Sequence, residues 1–175
     1  MTSRVFRANE MNKVKLDSNE TYISETYPTT LIRAIYVRNY SSLKEVLRHF
    51  DITPVQWRVL ANLQEFDGQN LNALAERSYT DRTNLSRAVS ALEKAGLVKK
   101  NREITDQRNI LVYLTEKGKK KFRTACPAVK KLDSESTKNF SPAETAILMD
   151  FLNRLKESSY RTRRLDQLVG VESQI

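Results

Sequence analysis

Four glycines and four prolines are all that interrupt this chain of 175 residues. That is far below the roughly 12% share these two residues take in an average sequence. Glycine and proline are the main breakers of helices and makers of tight turns. A β-sandwich or barrel needs a turn signal every ~8–12 residues, so those classes are excluded. The scarcity predicts long, uninterrupted helices around one core, and the length suits a single domain. No apolar run approaches the ~18 residues needed to span a bilayer. Residues 1–15 are polar and lack the apolar stretch of a signal peptide. The lone cysteine, Cys126, rules out an intrachain disulfide framework. Together these features predict a cytoplasmic protein that does not enter membranes.

Charge supplies the first functional constraint. Thirty Lys and Arg stand against twenty-one Asp and Glu, for a net charge of +9. A basic excess of this size suits a polyanionic partner. Its location is informative. Between Leu97 and Thr124 lie Lys99, Lys100, Arg102, Arg108, Lys117, Lys119, Lys120, Lys121 and Arg123, against Glu103, Asp106 and Glu116. A solvated face is the plain alternative, most of all for Lys119, Lys120 and Lys121.

Hydrophobic spacing divides the chain. Residues 1–27 lack periodicity and read as an arm. From Pro28, Leu31, Ile35, Leu43, Val46, Leu47 and Phe50 recur at helical spacing to about residue 50. Thr53-Pro54-Val55-Gln56 is a capping box with proline at its first helical position, opening a helix that stops near Asp67-Gly68. A short helix follows, with Leu71, Leu74 and Ala75 inward. The helix from Arg82 to Lys94 places Leu85, Ala88, Val89 and Leu92 on one face. Arg82, Thr83, Ser86, Arg87 and Ser90 fall on the other, and Gly96 ends it. The period then changes. Leu97–Lys100 and Ile110–Leu114 read as two strands joined by a charged tip. Thr115 caps a fifth helix that Pro127 should kink. Ser141-Pro142-Ala143-Glu144 is a second capping box, opening a sixth helix with Ile147, Leu148, Phe151, Leu152 and Leu155 on an apolar stripe. After residue 158 the chain becomes a basic tail.

Three short helices followed by a hairpin is the order of a winged helix-turn-helix. The predicted fold is therefore mostly α with a small β-hairpin wing and about six helices. A recognition helix needs one face to dock and another carrying donors for the major groove. Arg82, Thr83, Asn84, Ser86, Arg87 and Ser90 fit the second requirement, since arginine grips guanine bidentately and Ser, Thr and Asn adapt to base edges or phosphates. Arg108 at the hairpin tip fits a narrow minor groove, whose negative potential attracts arginine. Lys99, Lys100 and Arg102 fit phosphates.

The run Asp106-Gln107-Arg108-Asn109-Ile110-Leu111-Val112-Tyr113-Leu114-Thr115-Glu116-Lys117-Gly118 resembles the wing signature of the MarR family of bacterial transcription regulators. Asp81–Arg87 leading into Leu92–Val98 is similar to that family's recognition helix and its exit. Thr53–Leu60 and Ser141–Glu144 resemble its second helix and the start of its last. The likeness spans about residues 31–158. It implies a homodimeric regulator, most often a repressor, that binds a pseudo-palindromic operator. It implies a first dimerisation helix over 28–50, a DNA-binding domain over 51–115 and dimerisation helices over 116–158, with a tail over 159–175. Leu31, Ile35, Ile147, Leu148, Phe151, Leu152 and Leu155 then fall at the dimer interface. Asp106 would orient the DNA-contacting side chains around Arg108. Many members release DNA when a small phenolic or aromatic acid enters a cleft, for which Arg33, Tyr36, Arg38, Tyr40, Arg48, His49 and Trp57 are the candidates. His49 equally suits a structural role, and Trp57 suits the core.

Other readings fit less well. A winged helix that binds protein, not DNA, has no need of basic groups on both the helix and the wing. A constitutive DNA-binding protein without a ligand switch stays open. No nucleophile–base pair, metal-ligand set or glycine-rich phosphate loop occurs, so an enzyme, a cofactor and a metal site are not expected. Cys126 reads as a small buried hydrophobe ahead of a redox sensor.

Overall fold

The computed structural model describes residues 27–102 and 110–161. They belong to two units, and the division falls inside the first helix: one unit ends at Tyr40 and the other begins at Ser41. The elements are α1 (Pro28–Arg48), α2 (Pro54–Glu65), β1 (Gln69–Asn70), α3 (Leu71–Arg77), α4 (Arg82–Lys94), β2 (Val98–Arg102), β3 (Ile110–Leu114), α5 (Glu116–Thr137) and α6 (Pro142–Arg161). All six expected helices are present among the described residues. The hairpin gains a third strand: β1 pairs antiparallel with β3, giving the order β1-β3-β2. The arm, the segment 103–109 and the tail from 162 lie outside the described residues.

In the first unit, the opening stretch of α1 leaves Leu31, Ile35 and Tyr36 exposed, and the rings of Tyr36 and Tyr40 lie 5.7 Å apart. The second unit holds the core. Leu47, Val59, Leu60, Leu63, Leu74, Leu85, Val89, Leu92 and Val112 are almost wholly buried in one cluster. Trp57 belongs to that cluster and stacks on Phe122 of α5, ring centroids 4.9 Å apart. By contrast, no described side chain of α6 is buried. Among the described residues no helix is long and apolar enough to cross a membrane.

The caps form where the side-chain chemistry calls for them. Gln56 N donates to Thr53 Oγ1 at 3.2 Å while Thr53 N donates to Gln56 Oε1 at 2.8 Å. Ser141 and Glu144 make the same reciprocal pair at the head of α6. These bonds satisfy amides that a helix start leaves without partners. α5 runs through Pro127 as one element.

The sharpest fit is where α5 meets the end of α4. Gly96, at φ +69°, turns the chain out of α4, as a left-handed cap position asks of glycine. The Thr115 N–H donates to Leu97 O at 3.1 Å, and Gly118 N donates to Thr115 Oγ1 at 3.0 Å. That holds the first turn of α5 against the α4–β2 turn. A Cβ on Gly118 would lie 2.0 Å from the Leu97 carbonyl oxygen, which is backbone and has no rotamer to escape into. Gly118→Ala should therefore destabilise the protein by about 1–3 kcal/mol through overpacking, read as a fall in the urea midpoint at an unchanged slope.

Candidate nucleic-acid interface

The interface is built outward from α4. Leu85, Val89 and Leu92 are buried completely or nearly so, and Ala88 lies beside them. Burying each Leu or Val contributes about 1.5–3 kcal/mol, which fixes which way the helix faces. The opposite face follows by geometry at 100° per residue. Arg82, Thr83, Asn84 and Arg87 are exposed, and Ser86 and Ser90 are half-buried. Ser86, Arg87, Ser90, Ala91 and Lys94 line an open depression along this face.

The start of α4 is held by Asp81; it begins the family motif quoted above, and an Asp directly before a helix is also an N-cap signal. Asn84 N donates to Asp81 Oδ1 at 2.9 Å, and the Asn84 side-chain amide donates to Oδ2. The backbone N–H of Asn84 holds the Asp81 carboxyl below the usual carboxylate range. Ahead of it runs the turn Ser78-Tyr79-Thr80. Arg58 Nη1 donates to Ser78 O at 3.1 Å, and Asn62 Nδ2 donates to the buried Ser78 Oγ at 3.2 Å. Tyr79 sits at φ +48° with its ring exposed. Thus α2 grips the turn that sets the angle between α3 and α4. Nothing local in the sequence signals bonds spanning 16 and 20 residues.

On β2, Lys99 and Arg102 are exposed. Lys100 is not free: its ammonium lies 2.8 Å from Glu93 Oε2 and 3.4 Å from Ser90 Oγ, both on α4. Asp106 and Arg108 lie outside the described residues. Other basic groups of the same stretch are engaged elsewhere. Lys117 Nζ donates to Ala95 O, just past the C-terminal end of α4, at 2.7 Å. Lys119 pairs with Glu116 at 2.8 Å. Lys121 Nζ donates to Phe50 O at 3.0 Å.

The effector candidates fall in both units. In the first unit Arg33, Tyr36 and Arg38 are exposed and Tyr40 is half-buried. In the second, Arg48 pairs with Glu45 at 2.6 Å, His49 is exposed, and Trp57 is part of the core. Of the dimerisation candidates, Leu31 and Ile35 are exposed in the first unit. In the second, Ile147, Phe151 and Leu152 are exposed, while Leu148 and Leu155 are half-buried. Cys126 is half-buried against the core. Among the described residues no three His, Cys, Asp or Glu side chains come together as a metal site.

Comparison with known proteins agrees with this geometry. The MarR family model matches residues 52–110, from the start of α2 to the start of β3. The HTH-type transcriptional regulator SarZ of Staphylococcus saprophyticus is 34% identical over 102 residues, covering 54% of this chain and 70% of that protein. The chain belongs to the MarR family. Members of the MarR family are DNA-binding transcription regulators, not enzymes. Solved structures carry the same fold. A mutant of MarR from Escherichia coli, complexed with operator DNA, superposes with a TM-score of 0.69 at 27% identity, over 78% of this chain and 99% of that one. A MarR-family regulator from Silicibacter pomeroyi gives 0.68 at 26% identity, over 75% and 89%.

The cap at Asp81 makes a pH prediction. Its folded carboxyl titrates below its ordinary value, so its contribution is present above that value and disappears as pH falls through the folded one. Asp81→Ala should lower Tm at neutral pH. The gap from the parent protein should begin to narrow as pH drops below ~4, the ordinary carboxylate value, and close at lower pH, where the folded cap protonates. A Tm difference that stays constant from neutral to acid pH would show that the charged form of Asp81 contributes nothing.

Proposed function

We propose that this chain is a homodimeric, sequence-specific repressor that reads an operator through α4. The single observation that carries the reading is the division of α4. Its apolar residues are spent on the core, and Arg82, Thr83, Asn84 and Arg87 are left facing outward from a capped helix start. Side chains near the N-terminal end of such a helix meet base edges in the major groove. Lys99 and Arg102 follow the phosphates. Arg108 enters the adjoining minor groove, with Asp106 orienting the contacting side chains. The apolar stripe of α6 (Ile147, Leu148, Phe151, Leu152, Leu155) and the first turns of α1 (Leu31, Ile35) bury themselves against a second copy. In the dimer the two reading helices stand about one turn of DNA apart, ~34 Å, matching a pseudo-palindromic site.

Release follows from a small aromatic or phenolic acid. Its carboxylate pairs with Arg33 or Arg38, and Tyr36 or Tyr40 stacks its ring. The ligand lowers DNA affinity only by as much as it prefers the non-binding arrangement.

Selection of duplexes from a randomised library tests the reading. The protein should enrich an inverted repeat. On that sequence Arg87→Ala should cost about 1–3 kcal/mol and relax the preference at one position per half-site. A folded Arg87→Ala protein with full affinity and unchanged preference removes Arg87 from the interface. Lys99→Ala should instead weaken binding evenly across sequences and reduce the salt slope by about one.

For the assembly, Phe151→Asp should yield monomers in sedimentation, because an unpaired charge would have to be buried at the interface. Dimers that persist at the parent's dissociation constant would exclude α6 from the contact.

A further inference from the structure

Lys100 stands apart from the other lysines of the basic stretch. It lies on the β2 face that alternates Val98, Lys100 and Arg102. Val98 on that face is buried in the core. Arg102 is exposed. Lys100 is the transition between them, its side chain only 25% exposed. The ammonium reaches across to α4, where Glu93 Oε2 and Ser90 Oγ receive it. This is a contact between elements, whereas the other ion pairs among the described residues join positions three or four apart on one helix.

We propose that Lys100 is a positioning residue, which pins the wing strand to the reading helix so that both engage a duplex in register. The proposal rests on the DNA-reading function given above. Two features of the site support it. A lysine that serves a phosphate needs its charge free, but here a carboxylate already neutralises it at 2.8 Å. The partner positions lie on α4 itself: Ser90 lines the outward depression, and Glu93 follows three residues later. β2 is tied at its start to the same helix by Leu97 N, which donates to Leu92 O at 2.9 Å. Without the pair, the outer half of β2, including Arg102, keeps its pairing with β3 but loses its side-chain tie to α4.

The two roles for Lys100 predict opposite signs at Glu93. If Lys100 only holds phosphate, removing the nearby negative charge favours DNA. If the pair positions the wing, removing either partner harms binding.

The test uses the full-length protein and a fluorescent duplex enriched by that protein from a randomised library. Glu93→Gln and Lys100→Gln should each weaken binding by roughly threefold to tenfold, the lower part of the range for a coupled contact, as suits a partly exposed pair. The slope of log affinity against log salt should stay the same in both. The exchanged pair, Glu93→Lys with Lys100→Glu, should recover most of the loss, and Lys100→Arg should bind nearly as the parent does. The pair is partly exposed, so all four variants should fold, which their thermal transitions will report. The proposal is overturned if Glu93→Gln binds as tightly as the parent or more so. It is equally overturned if Lys100→Gln loses about one from the salt slope, or if the exchanged pair recovers nothing. A parent protein that enriches no sequence overturns the DNA-reading function as well, which separates that failure from failure of the pin alone.

Discussion

The burial of one face of α4 is the constraint from which the rest follows. Leu85, Ala88, Val89 and Leu92 enter a core that α2, α3, the sheet and the end of α1 also supply. Rotating the helix by a single residue would move these side chains ~100° round the axis and bring polar groups into an apolar cluster. The outward face is therefore not chosen separately. Once the core is packed, Arg82, Thr83 and Arg87 face solvent or a partner, and Asn84 faces outward beside the Asp81 carboxylate. Asp81 and the turn held by Arg58 and Asn62 then fix where that face begins.

Electrostatics acts on this frame as a sorted set of charges. The stretch from β2 into α5 is rich in lysine, and proximity in sequence makes it look like one surface. In the structure its lysines have different tasks. Lys117 binds the carbonyl of Ala95 at the negative end of α4, Lys121 ties α5 to the chain after α1, and Lys119 answers Glu116. Cations at a helix C-terminus are stabilised by the unpaired carbonyls and the helix dipole. Of the three, Lys117 is the one that holds α5 to α4, at the end of α4 away from its capped start. Lys99 and Arg102 remain exposed on the wing strand.

What could be read from the sequence was what is local. Both capping boxes, the proline-first helices, Gly96 and the two-faced pattern of α4 depend on neighbours within four residues, and each formed where its chemistry required. The order of helices and hairpin then pointed to a winged helix, and the quoted wing and helix motifs to the family. What could not be read depends on distant partners. β1 has two residues and no alternation to announce it; it exists because β3 offers a free edge to Gln69 and Asn70. The grip of α2 on Ser78 and the pairing of Lys100 with Glu93 are equally non-local. Tyr79 adopts a left-handed φ that no glycine advertises. The cap at Asp81 is again local, since an Asp directly before a helix is an N-cap signal in its own right.

A major-groove seat for the outward face of α4, as proposed, is open to direct test. Methylation of guanine at N7, on a duplex enriched by the protein, probes that groove directly. Methylation should block binding at two clusters of guanines, one per half-site, with centres about 10–10.5 base pairs apart. Binding that tolerates methylation at every guanine N7 of the enriched site, or interference confined to one cluster, would contradict it.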